Sequence, residues 1–156
     1  MTTHQATISG VLSQFTTVVG DLRQALDGLD GEALNWRPVG HKSSSVYMLV
    51  SHMMGMARGM CAIARGEQSG RNRAAEFAAT GTSADTLLAL IDDTQTHVEQ
   101  ALRGMTEEML TAQRTFADQK ATGAGLIILM VRHLGEHLGH VTLTRQLWEQ
   151  LETDSG

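Results

Sequence analysis

Apolar residues recur every three or four positions along this chain, and breakers divide the rhythm into four stretches. Val11, Phe15, Val18, Leu22 and Leu26 share one face and predict a first helix over roughly residues 9–26. Asp27-Gly28-Leu29-Asp30-Gly31 ends it. Asn35-Trp36-Arg37-Pro38 reads as an extended connection, because Pro38 disfavours helix at Arg37. Val46, Leu49, Val50, Met53, Ala57 and Met60 predict a second helix over roughly residues 45–65, capped by one of Ser43, Ser44 and Ser45. The loop that follows, about residues 66–82, is longer than most connections inside bundles. It either covers a site or moves freely.

A third helix starts near Ser83 or Ala84 and carries Leu87, Leu90, Ile91, Val98, Ala101, Leu102 and Met105. Thr106, Glu107 and Glu108 can cap a short extra turn. From Leu110 to Gly123 no period is clear, and Thr111–Phe116 reads as a brief strand-like or irregular element. The fourth helix, from about Ala124 to Glu152, sets Leu126, Met130, Leu134, Val141, Leu147, Trp148 and Leu151 within one broad arc, with Leu143 at its edge. Alternation of period two is rare. The fold class expected is therefore all-α, a four-helix bundle forming one domain over residues 1–156.

Composition narrows the functional classes. The chain is 42% hydrophobic but 4% aromatic, so aliphatic residues and nine Met must fill the core. Twelve basic and 17 acidic residues give a net charge of -5, suited to a cytoplasmic protein. The basic residues form no stripe; Arg71 and Arg73 are their one cluster, in the long loop, so nucleic-acid binding is not expected. Cys61 is the one cysteine, which excludes an intramolecular disulfide and a multi-cysteine metal site, and its place on a mostly apolar arc reads as packing. The opening MTTHQATISG lacks the features of a secretion signal. No apolar run approaches the ~20 residues of a membrane span, so no membrane partner is expected.

The fourth helix carries the candidate chemistry. At about 100° per residue from Leu126, His133 falls near 340°, His137 near 20° and His140 near 320°, with Thr144 returning to zero. These histidines lie in the middle of the apolar stripe. Burying neutral imidazoles without partners is costly, and a shared metal ion resolves that cost. His133 and His137, one turn apart, are assigned to the metal. The segment reads HLGEH and lacks the HExxH pattern, with Glu136 turned aside by about 100°. His140 is too far along the helix from His133 to join one ion with both. It is assigned to the cavity as a proton relay, with Thr144 as a hydrogen-bonding group for substrate. His52, at the border of the second helix's apolar arc, is placed to reach toward that pair. His4, His41, His97 and Asp21 stay open as substitutes.

Glycines make a second pattern. Gly55 and Gly59 on the second helix, and Gly135 and Gly139 on the fourth, lie nearly opposite the hydrophobic faces. Each costs a helix about 1 kcal/mol relative to alanine. Close approach by another helix would compensate, which predicts a homodimer using one or both faces.

Three segments together resemble the DinB/YfiT-like superfamily of bacterial bundle proteins. They are Ala33-Leu34-Asn35-Trp36-Arg37-Pro38, then Ser45-Val46-Tyr47-Met48-Leu49-Val50-Ser51-His52, then His133 through Val141 followed by Leu143 and Arg145. Gly139-His140 is similar to the branch that includes the mini-circle proteins. The resemblance implies an up-up-down-down bundle, usually a homodimer, with a metal triad matched here by His52, His133 and His137. It implies a divalent metal, zinc or nickel by preference with iron also accepted, and a small-molecule substrate. For some members it implies a low-molecular-weight thiol as cofactor in transfer or isomerisation. Where many relatives have Arg-Gly-Gln after the third histidine, this chain has Leu138-Gly139-His140. Three imidazoles leave coordination positions free, so a hydrolase using activated water and a thiol-dependent transferase are both expected readings. A non-catalytic metal- or ligand-binding bundle involved in stress response is the alternative.

Overall fold

Local capping marks where most of the helices begin in the computed structural model, which describes residues 2–155. Helix α1 (Thr3–Leu26) starts at Thr2, whose hydroxyl accepts from the Gln5 backbone while the Gln5 side chain accepts from the Thr2 backbone. It therefore begins a turn and a half earlier than its apolar rhythm predicts. Asp30 caps a one-turn helix, α2 (Gly31–Asn35), which takes in only the first residue of the segment expected to be extended; Trp36 is extended. Ser45 caps α3 (Val46–Arg65), and Gly66 ends it at φ +86°. The predicted loop contains α4 (Arg73–Ala78), capped by Asn72. Helix α5 (Asp85–Arg103) is followed by α6 (Glu107–Thr111), capped by Thr106 as expected. Strands β1 (Gln113–Phe116) and β2 (Gln119–Thr122) form a hairpin closed by Ala117 and Asp118, both at positive φ as a two-residue hairpin turn requires. Helix α7 (Gly123–Ser155) completes the fold.

The four long helices form a bundle in which α3 packs on α5 and α7, and α1 packs on the same two. Side chains on all of them fill one core, from Phe15, Leu22 and Leu26 through Met53, Met54 and Met60 to Ile91, Leu102, Leu126 and Met130. Residues 40–65 are long and apolar enough to cross a membrane, but most of that stretch is buried inside the bundle.

The direction of each helix follows from its cross-links. His4 reaches the Met105 carbonyl and Arg23 reaches Asp92, so α1 and α5 run in opposite directions. Arg58 pairs with Asp93 and Thr94, and Arg65 donates to the Ala101 carbonyl, so α3 and α5 run the same way. His52 meets His133 and Cys61 meets Met130, so α3 and α7 oppose. The order along the chain is up-down-down-up rather than the up-up-down-down expected. The physical reason is which connection crosses the bundle. Residues 27–45 stay at one end, where Asn35 exchanges two hydrogen bonds with Gly81 and Asp30 bridges Ser83. Residues 66–84 instead run back along α3 as a strap: Ser69 lies over Gly59, Arg71 beside Met56, Phe77 on His52 and Gly81 against Tyr47.

That strap corrects the reading of Gly55 and Gly59. The close approach they permit is made by the chain's own residues 69–76, not by a second copy, because a Cβ at Gly55 would overlap the Glu76 carboxylate. Gly135 and Gly139 have open space around them. A second correction concerns the far end of α7. Leu147 and Leu151, expected in the core with Leu143 at its edge, are exposed. At 33 residues α7 is about 50 Å long, against about 36 Å for the 24-residue α1. Arg145 caps the end of α1 through the carbonyls of Gln24, Ala25 and Asp27, so α7 outruns that partner. Beyond this point Trp36 packs on Trp148 with ring centres 5.7 Å apart.

Two glycine substitutions separate close approach from open helix. Gly123→Ala would press against the Met109 carbonyl, which backbone cannot easily yield; it should lower stability by roughly 1–3 kcal/mol in urea unfolding. Gly135→Ala should raise stability by up to about 1 kcal/mol in the same measurement. A loss there would mean that a second molecule packs on this face.

Candidate metal centre

Helices α3 and α7 cross the middle of the bundle with their histidines facing one another. His52 comes from α3; His133 and His137 come from successive turns of α7. One ligand atom from each of the three lies within 4.8 Å of the others. The Nε2 atoms of His52 and His133 stand 3.1 Å apart, and the His137 ring lies edge-on to both, its centre 4.9 Å and 4.4 Å from theirs. Two nitrogens on a tetrahedral ion with bonds of 2.0–2.1 Å sit about 3.3 Å apart. One pair is already at that spacing, and the third nitrogen needs to move by at most about 1.5 Å. The residues present therefore fit a divalent ion taken by three imidazoles.

The electrostatics suit the same purpose. Burial pushes the basicity of all three rings below the ordinary histidine range. At His52 the Arg71 guanidinium adds to that effect and Glu76 opposes it. At His133 burial is the first cause, opposed by Glu136. His137, beside two other imidazoles as well as buried, is lowered to about 4. Neutral imidazoles offer their lone pairs at neutral pH without first losing a proton.

Around the three rings lies a shell that the sequence pattern did not reveal. Arg71 and Glu76 form a nearly buried ion pair, with Nε to Oε1 at 2.7 Å and Nη2 to Oε2 at 2.5 Å. Both reach the Nδ1 atom of His52, Arg71 at 2.8 Å and Glu76 at 3.3 Å. Phe77 packs on the His52 ring at 4.6 Å between centres, and Arg73 lies over Phe77. The loop left open as cover or free segment is a cover. The usable signal was the pair of glycines on α3, since helix glycines imply something pressed close.

The other candidates sort by distance. His140 is exposed, with Nδ1 3.2 Å from Nδ1 of His137. Thr144 is buried, and with His137 and His140 it lines a cavity of about 450 Å³. Pro38, Val39, Leu49, Phe77, Leu143 and Leu147 supply its apolar walls. His4, His41, His97 and Asp21 are not brought to the cluster: His4 holds the Met105 carbonyl, and the other three lie exposed elsewhere. Cys61 is fully buried beside Met130, and burial pushes its thiol up to about 12, which fits core packing and not nucleophilic chemistry.

Comparison with known proteins gives one consistent result. The sequence profile of the DinB superfamily matches residues 14–141. A DinB-like protein from Bacillus subtilis superposes with a TM-score of 0.69 at 19% identity, over 88% of this chain and 90% of that one. A DinB-like protein from Bacillus cereus does so with a TM-score of 0.69 at 18% identity, again over 88% and 90%. Identities this low speak for the shared fold. No curated protein matches the chain.

The lowered imidazole basicity predicts acid sensitivity. Unfolded, these histidines take up protons near pH 6.5; folded, they do so only at lower pH, about 4 for His137. Their contribution to stability is present above pH 6.5 and is lost as pH falls toward the folded values. The urea midpoint of metal-free protein should therefore drop between pH 7.5 and 5.5. The drop should shrink in a His137→Phe variant.

Proposed function

The chain belongs to the DinB superfamily, and from its three-histidine cluster we propose that it is a divalent-metal-dependent enzyme acting on a small molecule. The observation that carries this reading is the convergence of His52, His133 and His137 from two helices beside a cavity large enough for substrate. Zinc and nickel suit three neutral imidazoles, and iron is accepted by the same donors. When bound, the metal supplies Lewis-acid activation of water or of a thiol.

The chain's own groups divide the remaining tasks. His137 would hold the metal through its other nitrogen, leaving Nδ1–H to donate to Nδ1 of His140, 3.2 Å away. His140 then presents Nε2–H toward the cavity, where it can pass a proton to or from the substrate. The Thr144 hydroxyl lies in the same wall and can orient a polar atom of the substrate. Among the described residues the cavity is walled by Pro, Val, Leu and Phe side chains with no charged group, which suits an apolar, uncharged substrate body. That suits an apolar electrophile attacked by a low-molecular-weight thiol in a transferase, or by water in a hydrolase.

Elemental analysis of untagged protein tests the centre. His52→Ala, His133→Ala and His137→Ala should each lose the metal, whereas His140→Ala should keep it. Loaded protein should then be screened with thiols against apolar electrophiles and with apolar esters. His140→Ala should lower any turnover found by about 10²–10⁴-fold. Loss of metal from His140→Ala would make it a ligand instead. Metal without turnover on any pair would leave a binding protein.

A further inference from the structure

The two contacts at Nδ1 of His52 cannot both be hydrogen bonds of one tautomer. A guanidinium can only donate and a carboxylate can only accept, while a neutral imidazole carries one N–H. With the proton on Nε2, Arg71 donates to the Nδ1 lone pair at 2.8 Å, and Nε2–H points at His133. With the proton on Nδ1, Glu76 accepts it at 3.3 Å, and the Nε2 lone pair is aimed at the centre of the cluster. The second arrangement alone can ligate a metal through Nε2.

We propose that Glu76 is the positioning residue of this centre, holding His52 in the Nδ1–H tautomer, with Arg71 competing for the same atom when no metal is bound. The inference rests on the metal reading above. Four features of the fold converge on it. Gly55 has no side chain where the Glu76 carboxylate must pass. Asn72 caps α4 by accepting from the Ala75 backbone, which starts a helical turn directly ahead of Glu76. Arg71 grips both carboxylate oxygens and fixes their direction. Phe77 covers the His52 ring and limits its rotation. A carboxylate hydrogen-bonded to the far nitrogen of a ligating histidine fixes its orientation and raises its basicity, and losing it typically costs 10–100-fold in metal affinity. Its negative charge also offsets the Arg71 cation, which would otherwise repel an incoming ion.

The test measures zinc affinity of the metal-free full chain, by competition with a chromophoric chelator, for wild type, Glu76→Ala, Glu76→Gln and Gly55→Ala. Affinity should fall 10–100-fold in Glu76→Ala. Gly55→Ala, which displaces the carboxylate without altering it, should do likewise. Glu76→Gln keeps an accepting oxygen and should recover part of the loss; being isosteric, it carries the test if the alanine variant unfolds. Nitrogen-15 spectra of the histidine rings supply a second readout. The loaded wild type should show a protected Nδ1–H on His52, and Glu76→Ala should not. Equal zinc affinity in wild type and all three variants, with that proton still protected, overturns the inference and leaves the metal centre standing. A wild type that takes up no zinc, nickel or iron sinks the metal reading and this inference with it.

Discussion

A buried imidazole needs a partner at each ring nitrogen, and at His52 that need ties three separate stretches of chain together. One nitrogen looks across the bundle to α7; the other looks outward to the strap. Neither side can be supplied by α3 itself, because helix neighbours one turn away are Met48 and Met56. The arrangement therefore depends on α3 and α7 running in opposite directions at this level. It depends equally on residues 66–84 crossing the same face of α3. The up-down-down-up order meets both conditions with one crossover.

The apolar rhythm gave a faithful account of which faces are buried, and a poor account of direction and of short elements. Phe15, Met53, Ile91 and Leu126 sit where their spacing puts them. The inward turn of His133 and His137 was visible for the same reason, since a long helix repeats its angle many times. Direction is different: a stripe specifies a face and is silent about which end points up. Two connections of similar length offered themselves as the crossover, and only tertiary contacts choose between them. Helix α4, with six residues, is shorter than two turns and shows no period at all. Glu76 and Phe77 were hidden there, and Arg71 two residues ahead of it. Val18 and Val19 illustrate a smaller ambiguity, since Val19 is fully buried and Val18 only partly, a shift of one residue that a tilted helix allows. Leu147 and Leu151 show that the stripe runs on along α7 into positions that stay exposed.

Polarity is divided sharply across the centre. On the strap side of His52 lies an ion pair with little access to water, where charges are screened less than at the surface. On the His137 side lies an apolar cavity whose polar features are two imidazoles and a few hydroxyls. A ligand entering from the cavity meets His137 first, on the side away from the charged shell. The strap can thus govern how the rings are held, while the α7 side governs what reaches them. The superfamily fold supplies the crossing helices; His140 and Thr144 stand on the cavity wall beside them.

The strap has a further consequence for how this chain can vary in length. An insertion between Gly66 and Ala84 would move Glu76 off Gly55 and rotate α4 against His52, so the crossover tolerates little drift even though it looks like a loop. Surface loops usually absorb such changes. The stretch of α7 beyond Trp148 is under no such constraint from the ring cluster, whose members are His52, His133 and His137.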